Sequence, residues 1–80
     1  GAVLVYVKTL TGRTSEFDFE PSTTTHEVKV ALQEKEGIDV KQIRLIFKGK
    51  QMKDATALEE NGVKGGDTLH MVLALRGGRE

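Results

Sequence analysis

The sequence predicts a single α+β domain, a mixed five-stranded sheet packed on one α-helix with one short helical turn besides. Three observations support this fold class. Apolar and polar residues alternate at strand spacing in four segments, one segment has apolar residues at helical spacing, and turn-forming residues separate them. A chain of 80 residues, 38% of them hydrophobic, has material for one core and no second domain.

The first two strands form an N-terminal hairpin. Residues 3–7 contain valine at every second position, and β-branched side chains favour a strand with one buried face. Residues 9–12 end in a glycine and read as the connecting turn. Acidic residues alternate with Phe17 and Phe19 on the return strand, so the aromatic side chains are expected to share one face.

A capping box predicts the start of the only long helix. Thr24 and Glu27 stand three residues apart, which indicates a helix from about Thr25 to Glu36. Gly37 is placed to end it in a left-handed conformation, and Ile38 is expected to fold back on it. The apolar face of this helix consists of Val28, Ala31 and Leu32.

Two further strands follow the helix. Ile43, Leu45 and Phe47 alternate with other residues and predict a third strand that stops at Gly49. A short edge strand is expected at Gln51–Met52.

The rest of the domain is a loop and a last strand. Residues 53–67 hold only Leu58 and Val63 as strong core candidates, which indicates a loop with one short helical turn. The last strand runs from Thr68 to Ala74. We expect it to lie beside the first strand, parallel to it, at the centre of the sheet.

The ends of the chain lie outside this pattern. We expect the domain to occupy residues 3–74 and residues 75–80 to form a flexible diglycine tail. Gly1 and Ala2 add nothing to the strand pattern and are expected to be remnants of expression.

Composition excludes several classes of partner. Twelve basic and twelve acidic residues give zero formal charge, which argues against binding of nucleic acid. The longest apolar run is far too short to span a membrane, and cysteine is absent. We therefore expect a monomer in the cytoplasm and nucleus, with protein partners, no metal and no cofactor.

No residues form a recognisable catalytic set. His26 and His70 lie on different predicted elements, and Ser15 and Ser22 lack an activating neighbour. The glutamates of the helix end and the late loop, including Glu36, read as solvated charges. A single Arg-Gly-Gly triplet without stacking aromatic residues is weak evidence for RNA binding. The chain is therefore predicted not to be an enzyme.

Strand phase predicts an apolar patch on the face of the sheet that the helix leaves open. Ile46 and Val72 point to that face, and Leu10 at the hairpin tip can join them. The same alternation places Leu69, Met71 and Leu73 inward. A basic rim surrounds the patch, formed by Lys8, Arg44, Lys50 and His70. Such a patch indicates a protein-binding site, although scattered apolar residues are ordinary on protein surfaces.

The C-terminal glycines suggest that the chain is a substrate of other enzymes. Gly77 and Gly78 lack a β-carbon, so this stretch is slim enough to enter a narrow enzyme cleft. The Gly78 carbonyl is the expected reacting group.

Several segments of the chain together closely resemble ubiquitin and its relatives. Among them are VKTLTGRT from Val7, QEKEGI, RLIFKGKQMKD and TLHMVLALRGG, in the order and spacing of that family. The likeness spans residues 3 to 78 and implies the ubiquitin-like β-grasp fold. It implies a recognition patch of Leu10, Ile46 and Val72 with His70 at its border. A second patch would consist of Ile38, Leu73 and Leu75.

Ala74 distinguishes branches within this family. Ubiquitin has arginine at that position, whereas the Nedd-type modifiers share the alanine. The resemblance implies that an activating enzyme recognises Ala74 together with Leu75 and Arg76, because a methyl group needs only space whereas a cation needs a partner. Lysines stand at four chain-forming positions of the family: Lys8, Lys29, Lys35 and Lys50.

The resemblance implies a Nedd-type protein modifier. A protease would remove Arg79 and Glu80, and activating and conjugating enzymes would join the Gly78 carboxylate to lysines of targets such as cullins. Deconjugating proteases would reverse the bond. Two alternatives remain, a non-conjugated ubiquitin-like interaction domain of a larger protein and a divergent ubiquitin.

Overall fold

The helix and strands occur in the predicted order. The computed structural model describes residues 1–74, in which six regular elements follow one another: β1 (Val3–Lys8), β2 (Thr14–Phe19), α1 (Thr25–Glu36), β3 (Ile43–Phe47), β4 (Lys50–Gln51) and β5 (Thr68–Leu73). The second of two short 3₁₀ helices, Glu59–Asn61, is the predicted helical turn. The first, Val40–Gln42, was not predicted.

The strands form one mixed sheet with the order β2-β1-β5-β3-β4. β1 and β5 are parallel neighbours at its centre, with Tyr6 opposite Thr68 and Lys8 opposite His70. The other three pairings are antiparallel. This arrangement confirms the α+β class and the central position of the first and last strands.

The N-terminal hairpin closes through backbone hydrogen bonds. The Thr9 N–H donates to the Arg13 carbonyl at 2.8 Å, and the Gly12 N–H donates to the Thr9 carbonyl at 3.0 Å. Gly12 has a φ of 86°, a conformation that residues with a β-carbon rarely adopt. The glycine therefore allows the turn to be this short.

Both ends of α1 are capped as predicted. The Thr24 hydroxyl oxygen accepts a bond from the Glu27 N–H at 3.2 Å, and the Glu27 carboxylate accepts one from the Thr24 N–H at 2.8 Å. Gly37 is left-handed and donates its N–H to the Gln33 carbonyl. These local bonds fix the helix at Thr25–Glu36.

The core lies between α1 and one face of the sheet. Its buried residues are Val5, Val7, Val28, Leu32, Ile43, Leu45, Phe47, Met52, Leu58, Val63, Leu69 and Met71. Burial of each large aliphatic side chain stabilises the fold by about 1.5–3 kcal/mol. Phe17 and Phe19 are half-buried at the edge, with ring centroids 5.2 Å apart.

The loop between β4 and β5 is bound to the start of the helix. The Leu58 N–H donates to the Thr23 carbonyl, and the Thr25 N–H donates to the Thr56 carbonyl at 2.8 Å. The Asn61 amide donates to the Thr56 hydroxyl and to the Ala57 carbonyl. Leu58 and Val63 are both buried, as the sequence predicts.

Three expectations need correction. Leu73 is 36% exposed, because it lies at the end of β5, where it lines a surface pocket. β4 occupies Lys50–Gln51, and Met52 leaves the sheet edge to enter the core. Ala31 is only half-buried, whereas Lys29 is buried on the helix. Among the described residues, no helix has the length and apolar character needed to cross a membrane.

Candidate functional site

The register of β3 and β5 builds the candidate recognition patch. Arg44 lies opposite Val72, and Ile46 lies opposite His70. Residues directly opposite each other in a sheet point to the same face, so these four side chains form one group. Lys8 lies opposite His70 on the other side of β5 and extends the group.

The open face leaves these apolar side chains accessible. Ile46 and Val72 are half-buried between exposed Arg44 and His70. Leu10 is 67% exposed on the turn that connects β1 and β2. The patch predicted from strand phase is therefore a pair of adjacent apolar residues on the sheet, with a third on a neighbouring turn. Side chains of this kind surrounded by cations are typical of protein-binding surfaces.

One member of the predicted basic rim lies elsewhere. Gln51, not Lys50, is directly opposite Ile46. Lys50 lies opposite Phe47 and lines a groove with Glu60 and Asn61. The predicted basic rim therefore contains, next to Ile46, the neutral amide of Gln51.

The described part of the second patch forms one shallow pocket. Ile38 and Leu73 line a pocket of about 170 Å³ together with Met71 and Leu10. Leu10 therefore belongs to both patches, because its turn lies between them. Leu75, the third residue of this predicted patch, lies outside the described residues.

The carboxylate of Glu36 joins the hairpin to the end of the helix. It accepts a hydrogen bond from the Ser15 hydroxyl at 3.0 Å and pairs with the Arg13 guanidinium at 3.2 Å. The Glu36 side chain is only 11% exposed, so the expectation of a freely solvated glutamate is wrong. The sign of this cluster in the sequence was the polar Ser15, which lies opposite the buried Val7. This cluster lies at the edge of the pocket with Ile38 and Leu73.

The four candidate chain lysines differ in accessibility. Lys8, Lys35 and Lys50 are exposed, and the Lys35 ammonium lies 5.0 Å from the centre of the Phe17 ring. The Lys29 side chain is 9% exposed, and its ammonium pairs with the Asp54 carboxylate at 2.5 Å. An amine held in this way is a poor nucleophile until the ion pair opens.

Ala74 is the last described residue and is attached to the sheet. Its N–H donates to the Gln42 carbonyl at 2.7 Å, and its side chain is half-buried. The end of the domain is thus fixed beside the beginning of β3. The predicted tail residues lie outside the described part: Leu75, Arg76, Gly77, Gly78, Arg79 and Glu80.

Neither histidine belongs to a metal or acid–base cluster in residues 1–74. No group of three His, Cys, Asp or Glu side chains is close enough there to hold a metal ion. His26 is exposed at the start of α1, and His70 is exposed on β5. Within residues 1–74 the two histidines therefore lie apart, each on an exposed site of a different element.

Comparison with known proteins agrees with this geometry. The ubiquitin family model matches residues 5–76. Ubiquitin-like protein NEDD8 of Dictyostelium discoideum is 50% identical over 76 residues, which cover 95% of this chain and 99% of that protein. Ubiquitin-like protein 1 of Schizosaccharomyces pombe is 49% identical, with 95% and 97% covered. NEDD8-like protein RUB1 of Saccharomyces cerevisiae is 43% identical, with 95% and 99% covered. The chain therefore belongs to the ubiquitin family and resembles its NEDD8- and RUB-type members, which are small protein tags and not enzymes.

Proposed function

We propose that this chain is a protein modifier that becomes joined through the Gly78 carboxylate to lysines of other proteins. The observation that carries the proposal is the sequence Leu75-Arg76-Gly77-Gly78 directly after a fixed Ala74. The similarity to NEDD8- and RUB-type proteins over nearly their whole length supports it.

The chemistry requires activation of a carboxylate. Attack of the Gly78 carboxylate on ATP gives an acyl adenylate and releases pyrophosphate. A cysteine thiolate of the activating enzyme then displaces AMP, and the thioester passes to a conjugating enzyme. A target lysine amine finally displaces that thiolate and forms the isopeptide bond. The thiolate nucleophiles belong to partner proteins, because this chain contains no cysteine. ATP is a substrate of the activating enzyme.

The partners follow from this sequence of steps. A processing protease removes Arg79 and Glu80, and deconjugating proteases later hydrolyse the isopeptide bond. Cullins are the proposed targets, and the cytoplasm and nucleus are the proposed compartments. In the recognition patch, Ile46 and Val72 contact these partners through the open face of the sheet.

Ala74 is proposed to select the activating enzyme. The residue is half-buried and its N–H is bonded to the Gln42 carbonyl, so an enzyme groove that fits closely over this position would sense the size and charge of the side chain. We expect Ala74→Arg to reduce the rate of charging by a NEDD8-type activating enzyme about tenfold or more, since a buried cation without a partner is costly. The rate of thioester formation measures this.

Ala74→Met serves as the matched control because it adds length without charge. If the rate of charging falls less for Ala74→Met than for Ala74→Arg, the selection depends on charge. Equal charging of the wild-type chain and Ala74→Arg would contradict the role of this residue.

A second candidate function is a non-conjugated interaction domain. The exposed patch around Ile46 favours this reading as well, because it binds partners without a reactive tail. A divergent ubiquitin is the third candidate.

One charging experiment separates the three candidates. The chain ending at Gly78 is incubated with ATP and either a NEDD8-type or a ubiquitin activating enzyme, and adducts sensitive to thiol reductant are detected on gels. The proposal predicts an adduct with the NEDD8-type enzyme. An adduct with the ubiquitin enzyme alone indicates a divergent ubiquitin, and no adduct with either indicates an interaction domain. A chain that lacks Gly78 is the control.

A further inference from the structure

A polar groove lies beside the recognition patch and is not used by the proposed conjugation. It has a volume of about 470 Å³ and lies between the start of α1, the first 3₁₀ helix, β3 and the segment after β4. Ile43 and Met52, each 1% exposed, contribute its apolar lining. The floor of the groove therefore belongs to the buried core.

Cations without partners dominate this groove. Lys41, Arg44 and Lys53 line it, and within residues 1–74 none of the three forms an ion pair. Among the described residues the groove has one carboxylate, that of Asp54, which already pairs with the Lys29 ammonium. Because the formal charge of the whole chain is zero, this excess of positive charge is local.

The backbone under each cation is fixed. The Lys41 N–H donates to the Asp39 carboxylate at 2.9 Å, and Arg44 is paired with Val72 in the sheet. The Lys53 carbonyl accepts the Thr56 N–H at 3.0 Å. Charged side chains on fixed backbone lose less entropy when a ligand binds than charged side chains on a mobile loop do.

We infer that this groove binds an acidic peptide segment of a partner protein. Its three cations, which form no ion pair within residues 1–74, come from three separate elements around an open groove, which suits carboxylates spaced along an extended chain. A single phosphate is less suitable, since the Lys41 N–H is already occupied by Asp39. Three cations on a neutral domain are also too few for nucleic acid.

The position of Arg44 connects the groove to the recognition patch. Arg44 lines the groove and also lies opposite Val72 on the open face. A partner that covers Ile46 and Val72 can therefore extend an acidic segment past Arg44 into the groove. The inference concerns binding alone, so it does not depend on whether the tail is conjugated.

NMR titration of the full ¹⁵N-labelled chain with a capped hexaglutamate peptide tests this inference. We expect saturable shift changes at the amides of residues around the groove, with Lys41→Gln and Lys53→Gln each weakening the affinity about threefold, as is typical of exposed charge contacts. Both lysines are exposed, so neither substitution is expected to affect folding. Lys64→Gln is the matched control, because this lysine is equally exposed and lies outside the groove.

Four results would overturn the inference. The first is the absence of saturable shifts at the groove, and the second is an equal loss of affinity for Lys64→Gln. The third is that inorganic phosphate alone reproduces the same shifts with the same sensitivity to Lys41 and Lys53. A capped hexaglutamine peptide that binds as well as hexaglutamate would also contradict it. Thioester charging is measured separately, so a failure here leaves the proposed conjugation intact.

Discussion

The two faces of the sheet use similar residues for different purposes. Leu45 and Ile46 are neighbours on β3, yet Leu45 is fully buried under α1 whereas Ile46 is half-buried on the open face. The helix covers one face only, so the same strand supplies both the core and the recognition patch. Apolar side chains on the covered face therefore stabilise the fold, whereas those on the open face are left available to partners.

The largest effect expected from this comparison is at Leu45. Leu45→Ala removes a fully buried side chain and should lower the free energy of unfolding by about 2–5 kcal/mol. Chemical denaturation measures the loss as a shift of the midpoint. The matched variant Ile46→Ala should cost less than about 1 kcal/mol, since part of this side chain is already in water. Similar losses for the two variants would contradict the difference between the covered and the open face of the sheet.

The next largest loss of stability is expected at the ion pair of Lys29. Asp54→Asn leaves a buried ammonium without its carboxylate and should lower the free energy of unfolding by about 1–2 kcal/mol. The control is Asp18→Asn, which changes an exposed carboxylate without an ion pair in the described structure. A loss no larger than that of the control would show that Lys29 is effectively solvated.

The cap of the covering helix gives a smaller effect. Thr24→Ala removes the hydroxyl that accepts the Glu27 N–H and should cost about 1 kcal/mol. Ser22→Ala, two residues earlier on an exposed site, should leave the denaturation midpoint unchanged. If both variants behave alike, the cap contributes nothing to holding the helix over the sheet.

The smallest effect expected is a gain in stability. Lys48 has a φ of 53° in the turn between β3 and β4, a left-handed conformation in which the β-carbon crowds the backbone. Lys48→Asn should raise the free energy of unfolding by about 0.5 kcal/mol, because asparagine tolerates this conformation. Lys50→Asn, in the adjacent strand, should give no gain. A loss of stability for Lys48→Asn would contradict the strain argument.

Local signals in the sequence predicted most of the fold. The capping box at Thr24 fixed the start of the helix, and alternation identified four of the strands, because both are read within a few residues. The open-face positions of Ile46 and Val72 followed from the same alternation. The parallel contact between β1 and β5 is confirmed, although periodicity alone does not specify it.

Tertiary contacts were not predictable in the same way. Glu36 meets Arg13 across 23 positions of sequence, and Lys29 meets Asp54 across 25. Neither pair leaves a periodic signal, so Glu36 read as a solvated charge and the ion pair of Lys29 was not predicted. The exposure of Leu73 depends on where the helix stops covering the sheet. The alternation of residues along a strand does not show this position.

The most direct test of the central claim is mass spectrometry of proteins from cells that express this chain. Digestion after lysine leaves residues 65–78 attached to a modified target, because Lys64 is the last lysine in the chain. The account predicts target peptides whose lysines carry this remnant through the Gly78 carbonyl, and none from cells expressing a chain that lacks Gly78. Recovery of the intact chain in both cases, without any branched peptide, would contradict the claim.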